Sequence, residues 1–139
     1  MQDFRLQTVI FYLFTFTFSS FKENKKAYPN FTPTDVYLGL MTTVIGTIPK
    51  GYQWMANVLG MTGKIADGNA LVLKYINSKD AYSNQCRNEA LFVYPYLVMN
   101  FEGNKKKTFD FIEKTDFDLA NNHLHAYMAT NLYLNNQHS

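Results

Sequence analysis

A chain of 139 residues is one domain's worth of sequence and can bury a core without staples; its single cysteine excludes an intrachain disulfide. A hydrophobic share of 47% excludes a disordered chain, and 17% aromatic residues supply large buried areas per side chain. Charged residues make up only 17% and the net charge is +2, which argues against a nucleic-acid binder and leaves Asn, Gln, Ser, Thr and Tyr to cover much of the surface.

The first predicted element covers residues 3–26. Leu6, Ile10, Leu13, Phe14, Phe18 and Phe21 recur near helical spacing, and the run ends in a polar tail. The Phe/Thr alternation from Phe14 to Phe18 suits a strand equally well; the length of the run decides for a helix. Residues 9–18 are apolar and follow Arg5, so residues 1–20 also compete as a secretion signal, with export as the consequence. Asp3, the lone positive charge and the lack of a small-residue cleavage site oppose that, and a buried first helix in a cytoplasmic protein is favoured. The run is short for a membrane span, so membrane contact is expected only through residues 9–18.

Pro29 ends this helix and pushes Tyr28 toward extended backbone. Thr32-Pro33-Thr34-Asp35 reads as a new start, with Thr32 as cap, Pro33 in the first turn and Asp35 favoured by the helix dipole. The second helix should stop at Gly46. A third carries Tyr52, Trp54, Met55, Val58 and Leu59 to Gly60, with Tyr52 and Trp54 expected in the core. A fourth starts near Asp67 and Gly68 and runs through Ile76. A fifth spans residues 82–101, kinked by Pro95 and stopped by Gly103. A short sixth covers residues 105–114. Asp118 then caps a last helix over residues 119–135. The fold class is all-α: one domain of about seven helices, a first helix over 1–26 and antiparallel hairpins over 32–60, 64–101 and 104–136.

A weak repeat underlies this order. Tyr52-x-Trp54-Met55-Ala56 is echoed by Tyr127-Met128-Ala129, and Leu73-Lys74-Tyr75-Ile76 by Phe109-Asp110-Phe111-Ile112, at a period of about 36 residues. Trp54 with Leu59-Gly60 and Gly63 looks like a degenerate tetratricopeptide unit, although the Trp-to-Gly spacing departs from the pattern. Asn24-Lys25-Lys26-Ala27-Tyr28-Pro29-Asn30-Phe31, then Gly46-x-Ile48-Pro49-x-Gly51-Tyr52-x-Trp54, resembles tetratricopeptide-like helical-repeat proteins of the Bacteroidetes type, over about residues 21–136. The resemblance implies a short α-solenoid. Family members tend to be several times longer and often exported, and the family carries no assigned chemistry.

No residue reads as catalytic, and neither a cofactor nor a metal site is expected. His123 and His125 point about 200° apart on a helix and cannot share a metal, and His138 lies at the chain end. Asp110, Glu113, Asp116 and Asp118 have no identifiable partners for carboxylate chemistry; capping explains them more simply. The lysine clusters Lys22, Lys25, Lys26 and Lys105 to Lys107 read as solvated helix ends. Cys86 lacks a local base that would make it a nucleophile. What remains is a non-enzymatic scaffold. It is expected to bind a protein or peptide segment on a concave face carrying Asn57, Tyr94, Tyr96, Asn100, Tyr127 and Asn131, where aromatics give contact area and amides read a peptide backbone. A self-assembling helical piece of a larger exported protein, or a small-ligand binder with an aromatic pocket, are the alternatives.

Overall fold

The computed structural model describes the backbone of residues 2–137 and the side chains of residues 5–136; His138 lies outside these. Seven α-helices follow one another: α1 (Gln2–Ala27), α2 (Thr34–Gly46), α3 (Gln53–Val58), α4 (Ile65–Ile76), α5 (Arg87–Leu97), α6 (Lys105–Lys114) and α7 (His123–Gln137). A 3-10 turn, Lys50–Tyr52, leads into α3, and a π-helical turn, Val98–Glu102, extends α5. No strand occurs among the described residues. The helices pack largely in chain order: α1 on α2, α2 on α4, α4 on α5, α5 on α6 and α7. This is the arrangement of a short helical solenoid.

The tightest join is between α2 and α4, and glycine makes it. A Cβ on Gly39 would stand 2.7 Å from the Gly68 carbonyl oxygen, and one on Gly68 would stand 2.5 Å from the Gly39 carbonyl oxygen and overlap the Thr43 hydroxyl. The two backbones therefore touch where other residues would hold them apart. Gly68, expected at a helix start, lies inside α4, which begins at Ile65. Because α2 takes α4 as its partner, α3 is left outside with only Ala56 buried, and residues 32–60 do not close on themselves.

A polar chain ties this join to the far half of the molecule. The Thr43 hydroxyl donates to Asn69 Oδ1 (3.1 Å), Asn69 Nδ2 donates to Glu102 Oε2 (2.9 Å), and Lys107 Nζ donates to both Glu102 oxygens (2.9 Å each). Burial raises the pKa of Glu102, but the hydrogen bonds from Lys107 and Asn69 outweigh it and hold the carboxyl below its ordinary value.

Several expected starts move for identifiable reasons. Thr32 does not cap α2; its hydroxyl donates to Asp80 Oδ1 (3.0 Å) and ties the α4–α5 loop to the α1–α2 corner. Asp35 is only 1% exposed instead of sitting at the surface. Lys25 Nζ lies 2.9 Å and Lys74 Nζ 3.9 Å from its two oxygens, paired by charge without an aligned hydrogen bond. The fifth helix begins at Arg87, not residue 82. The Tyr75 hydroxyl accepts from the Cys86 amide and donates to the Tyr82 carbonyl (2.9 Å each), so this stretch wraps around Tyr75. The last helix begins at His123, where Asn122 Oδ1 accepts from Leu124 and His125 amides, while Asp118 caps the preceding turn. Pro95 has no N–H to offer Leu91, and the chain answers with the π turn. Gly103, at φ 68°, then closes it.

Three apolar clusters fill the interior: Phe18, Met41, Ile45, Ala56 and Met61 between α1, α2 and α3; a central one around Val72, Tyr75, Tyr94 and Leu97; and Ile112, Met128 and Leu132 between α6 and α7. His125 is buried beside the last of these, edge-on to Phe117 at 5.1 Å, with no partner for Nδ1.

Two stability predictions follow from these packings. Gly68→Ala should cost about 3 kcal/mol or more, above ordinary overpacking, because backbone must move. Gly51→Ala, with open space around it, should stay within about 1 kcal/mol of the parent; urea midpoints compare the two, and equal losses would contradict the close α2–α4 contact. For His125, burial lowers the pKa below 6.5, opposed by Asp118. As pH falls below 6.5 the unfolded chain takes the proton first, so stability declines and levels off once the folded pKa is passed. Urea midpoints at about pH 7.5 and about pH 5.5 should show this loss, and His125→Phe should flatten it; an unaltered slope would place the titration elsewhere.

Candidate functional site

The sequence-predicted face does not assemble as one groove. Tyr94 is 2% exposed and packs edge-on to Phe111 at 4.6 Å, so it belongs to the core and cannot line an open surface. Burial raises its phenol pKa, partly countered by Lys107. Tyr96 is half-buried against Phe92 at 5.0 Å. Asn100 is exposed but turns its amide back to the Tyr96 carbonyl (3.0 Å). Tyr127 is exposed, and Asn131 accepts from the Asn135 amide (3.1 Å). These four sit on α5 with its π turn and on α7, and the amides of Asn100 and Asn131 bond along their own helices. Asn57 lies at the other end of the molecule, on α3, and borders a real cleft.

That cleft encloses about 490 Å³ between α2, α3 and the start of α4. Gln53, Asn57, Lys64 and Asp67 give it a polar wall, and Ile45, Ala56 and Met61 an apolar one. Gln53 Nε2 donates to the Ile48 carbonyl (3.2 Å), which fixes the rim of α3. Behind Ile45 and Met61 opens a second space of about 380 Å³ between α1 and the C-terminal end of α2. Ile10, Phe11, Phe14, Val44 and Ile48 line it, almost without polar atoms. The two spaces share Ile45 and Met61 as a common wall.

The position of α3 follows from one lysine. Lys22 Nζ donates to the Gly60 carbonyl (2.7 Å) and stands 4.8 Å above the Phe18 ring, which pins the end of α3 to α1. Gly60 can take this turn because its φ is 70°. The outer face of α3 then points to solvent: Trp54 is 65% exposed, with Tyr52, Met55 and Val58 beside it. The expectation that Trp54 and Tyr52 join the core is thus overturned, since nothing packs outside α3. The signal that could have found this surface was the lack of any apolar segment left over to cover so short a helix.

The remaining chemistry-bearing residues are accounted for singly. Among the described residues no group of His, Cys, Asp and Glu is arranged to hold a metal ion. Lys25 and Lys22 bond inward, Lys106 pairs with Asp110 (2.5 Å) and Lys107 with Glu102, so the lysine clusters are in part structural. Cys86 is half-buried, 3.8 Å from the Tyr37 hydroxyl, whose pKa is raised by that contact and by burial. Among the described residues no helix is long and apolar enough to cross a membrane. No family model matches the chain, and neither does any curated protein or solved structure.

Proposed function

We propose that this chain is a non-enzymatic helical interaction module that binds an apolar peptide segment in the trench between α1 and α2. The observation that carries this is the adjacency of two open spaces on either side of Ile45 and Met61, one nearly all apolar and one edged by Gln53, Asn57, Lys64 and Asp67. Aliphatic or aromatic side chains of the segment would fill the space beside Phe11, Phe14 and Ile48. Its backbone would then cross Ile45 toward Asn57 and Gln53, whose amides suit peptide groups. The likeness to tetratricopeptide repeats belongs to this proposal; its support is the successive packing of helices. The Met-Ala echo is weaker support, because Ala56 and Ala129 are both buried whereas Met55 is exposed and Met128 is not.

The test is a selection of displayed peptides of about 12 residues against the whole chain. Recovered peptides should carry two or three large apolar residues. They should lose roughly tenfold in affinity for Phe11→Asp and a few-fold for Asn57→Ala. Phe11 is already 40% exposed, so its replacement should leave the fold intact. Peptides that bind Phe11→Asp as well as the parent, or that shift amide resonances at Tyr127 and Asn131 instead of Val44 and Ile48, would remove the trench as the site.

A further inference from the structure

Helix α1 carries a second apolar face that the fold leaves bare. Its inner face, Phe14, Phe18 and Phe21, packs toward α2 and α3. About 140° around the helix lies an outer stripe, Leu6, Val9, Leu13 and Phe16, flanked by Ile10 and Tyr12. These six side chains are between 53% and 73% exposed. No acidic or basic residue occurs between Arg5 and Lys22.

We propose that this outer stripe is a docking surface for a second copy of the chain, packed antiparallel along α1. Four observations point to that occupant. The stripe is spaced 3, 4, 3, which reads the same from either end. A two-fold axis near residue 11 therefore sets Leu6 against the partner's Phe16 and Val9 against the partner's Leu13, with the same contacts returned. The exposed parts of the six offer on the order of several hundred Å², below the ~800 Å² per partner of a standard interface and in keeping with a weak dimer. Three hydroxyls of this stretch are already satisfied. Thr15, Thr17 and Ser20 donate to the carbonyls of Phe11, Leu13 and Phe16 at 2.7–2.9 Å, so burying them strips no hydrogen bond to water that is not replaced. Finally, a lipid surface would call for cations beside the apolar face. Lys22 and Lys25 are instead turned inward, to the Gly60 carbonyl and to Asp35.

Sedimentation equilibrium of the whole chain at about 5–200 μM, with the Kd expected within this range, tests the proposal. The parent should dimerise. Leu13→Glu, at a position already in solvent, should be monomeric with unchanged far-ultraviolet circular dichroism and, at concentrations where the parent too is monomeric, an unchanged thermal midpoint. Register is read by oxidative cross-linking in a Cys86→Ser background. A mixture of Val9→Cys and Leu13→Cys chains should link at least about tenfold faster than Val9→Cys alone, since antiparallel pairing opposes 9 to 13. A parent that stays monomeric, a dimer that survives Leu13→Glu, or Val9→Cys linking to itself as fast as to Leu13→Cys would each overturn it. A monomer that instead floats with phosphatidylcholine vesicles would also overturn it, in favour of lipid. Phe11→Asp separates this proposal from the trench: it should weaken peptide capture roughly tenfold and leave the dimer intact.

Discussion

The architecture hangs on the backbone contact between α2 and α4. Two helices with ordinary side chains stay about 8–10 Å apart. At Gly39 and Gly68 no side chain intervenes, and each glycine's missing Cβ makes room for the other's carbonyl oxygen. Gly63 extends the contact along α2, where a Cβ would meet the Thr42 carbonyl oxygen at 2.5 Å. Dispersion between close backbones, the buried Thr43–Asn69 hydrogen bond and the packing of Val36 and Leu40 with Val72 and Ile76 hold the seam. A seam of this kind is unforgiving. It has no flexible atoms to give way, so a single methyl group must displace main chain.

The surfaces that remain open follow from that seam. Because α4 occupies the flank of α2, α3 has no place in the pair and is clamped to α1 through Lys22 and Gly60. The gap between α1 and the end of α2 is then roofed only partly by Ile48 and Met61, which is why an apolar trench exists at all. At the opposite end, Glu102 is drawn in by Asn69 and Lys107. This consumes the carboxylate and cation that could have made α5 and α6 a charged site.

Much of the helical order was legible because its signals are local. Gly60 and Gly103 both stand at positive φ just past helix ends, as their positions in the chain foretold. Pro29 breaks the chain where expected, and α6 runs over Lys105–Lys114 as expected. Failures came where a distant contact outweighed a local preference. Gly68 does stand in the first turn of α4, near the start as expected, but what requires glycine there is the approach of α2, which no local signal carries. Tyr94 was expected on the concave face with the other hairpin aromatics, yet it packs into the central cluster against Phe111. Trp54 looked like core because large aromatics usually are; whether a helix has anything outside it is a property of topology, which spacing along one helix does not carry. Of the predicted binding residues, Asn57 borders the cleft between α2, α3 and α4.

Helix α1 shows how one element can serve two surfaces. Its inner rings are spent on the core, and they also form one bank of the trench through Phe11 and Phe14. Its outer stripe contributes nothing to the monomer's interior, so selection for folding alone gives no reason for Leu6, Val9, Leu13 and Phe16 to be apolar together. A helix that needed only to fold would carry charged residues there, as α6 does with Lys106 paired to Asp110 on its outer side. Both open apolar surfaces thus meet on this one helix.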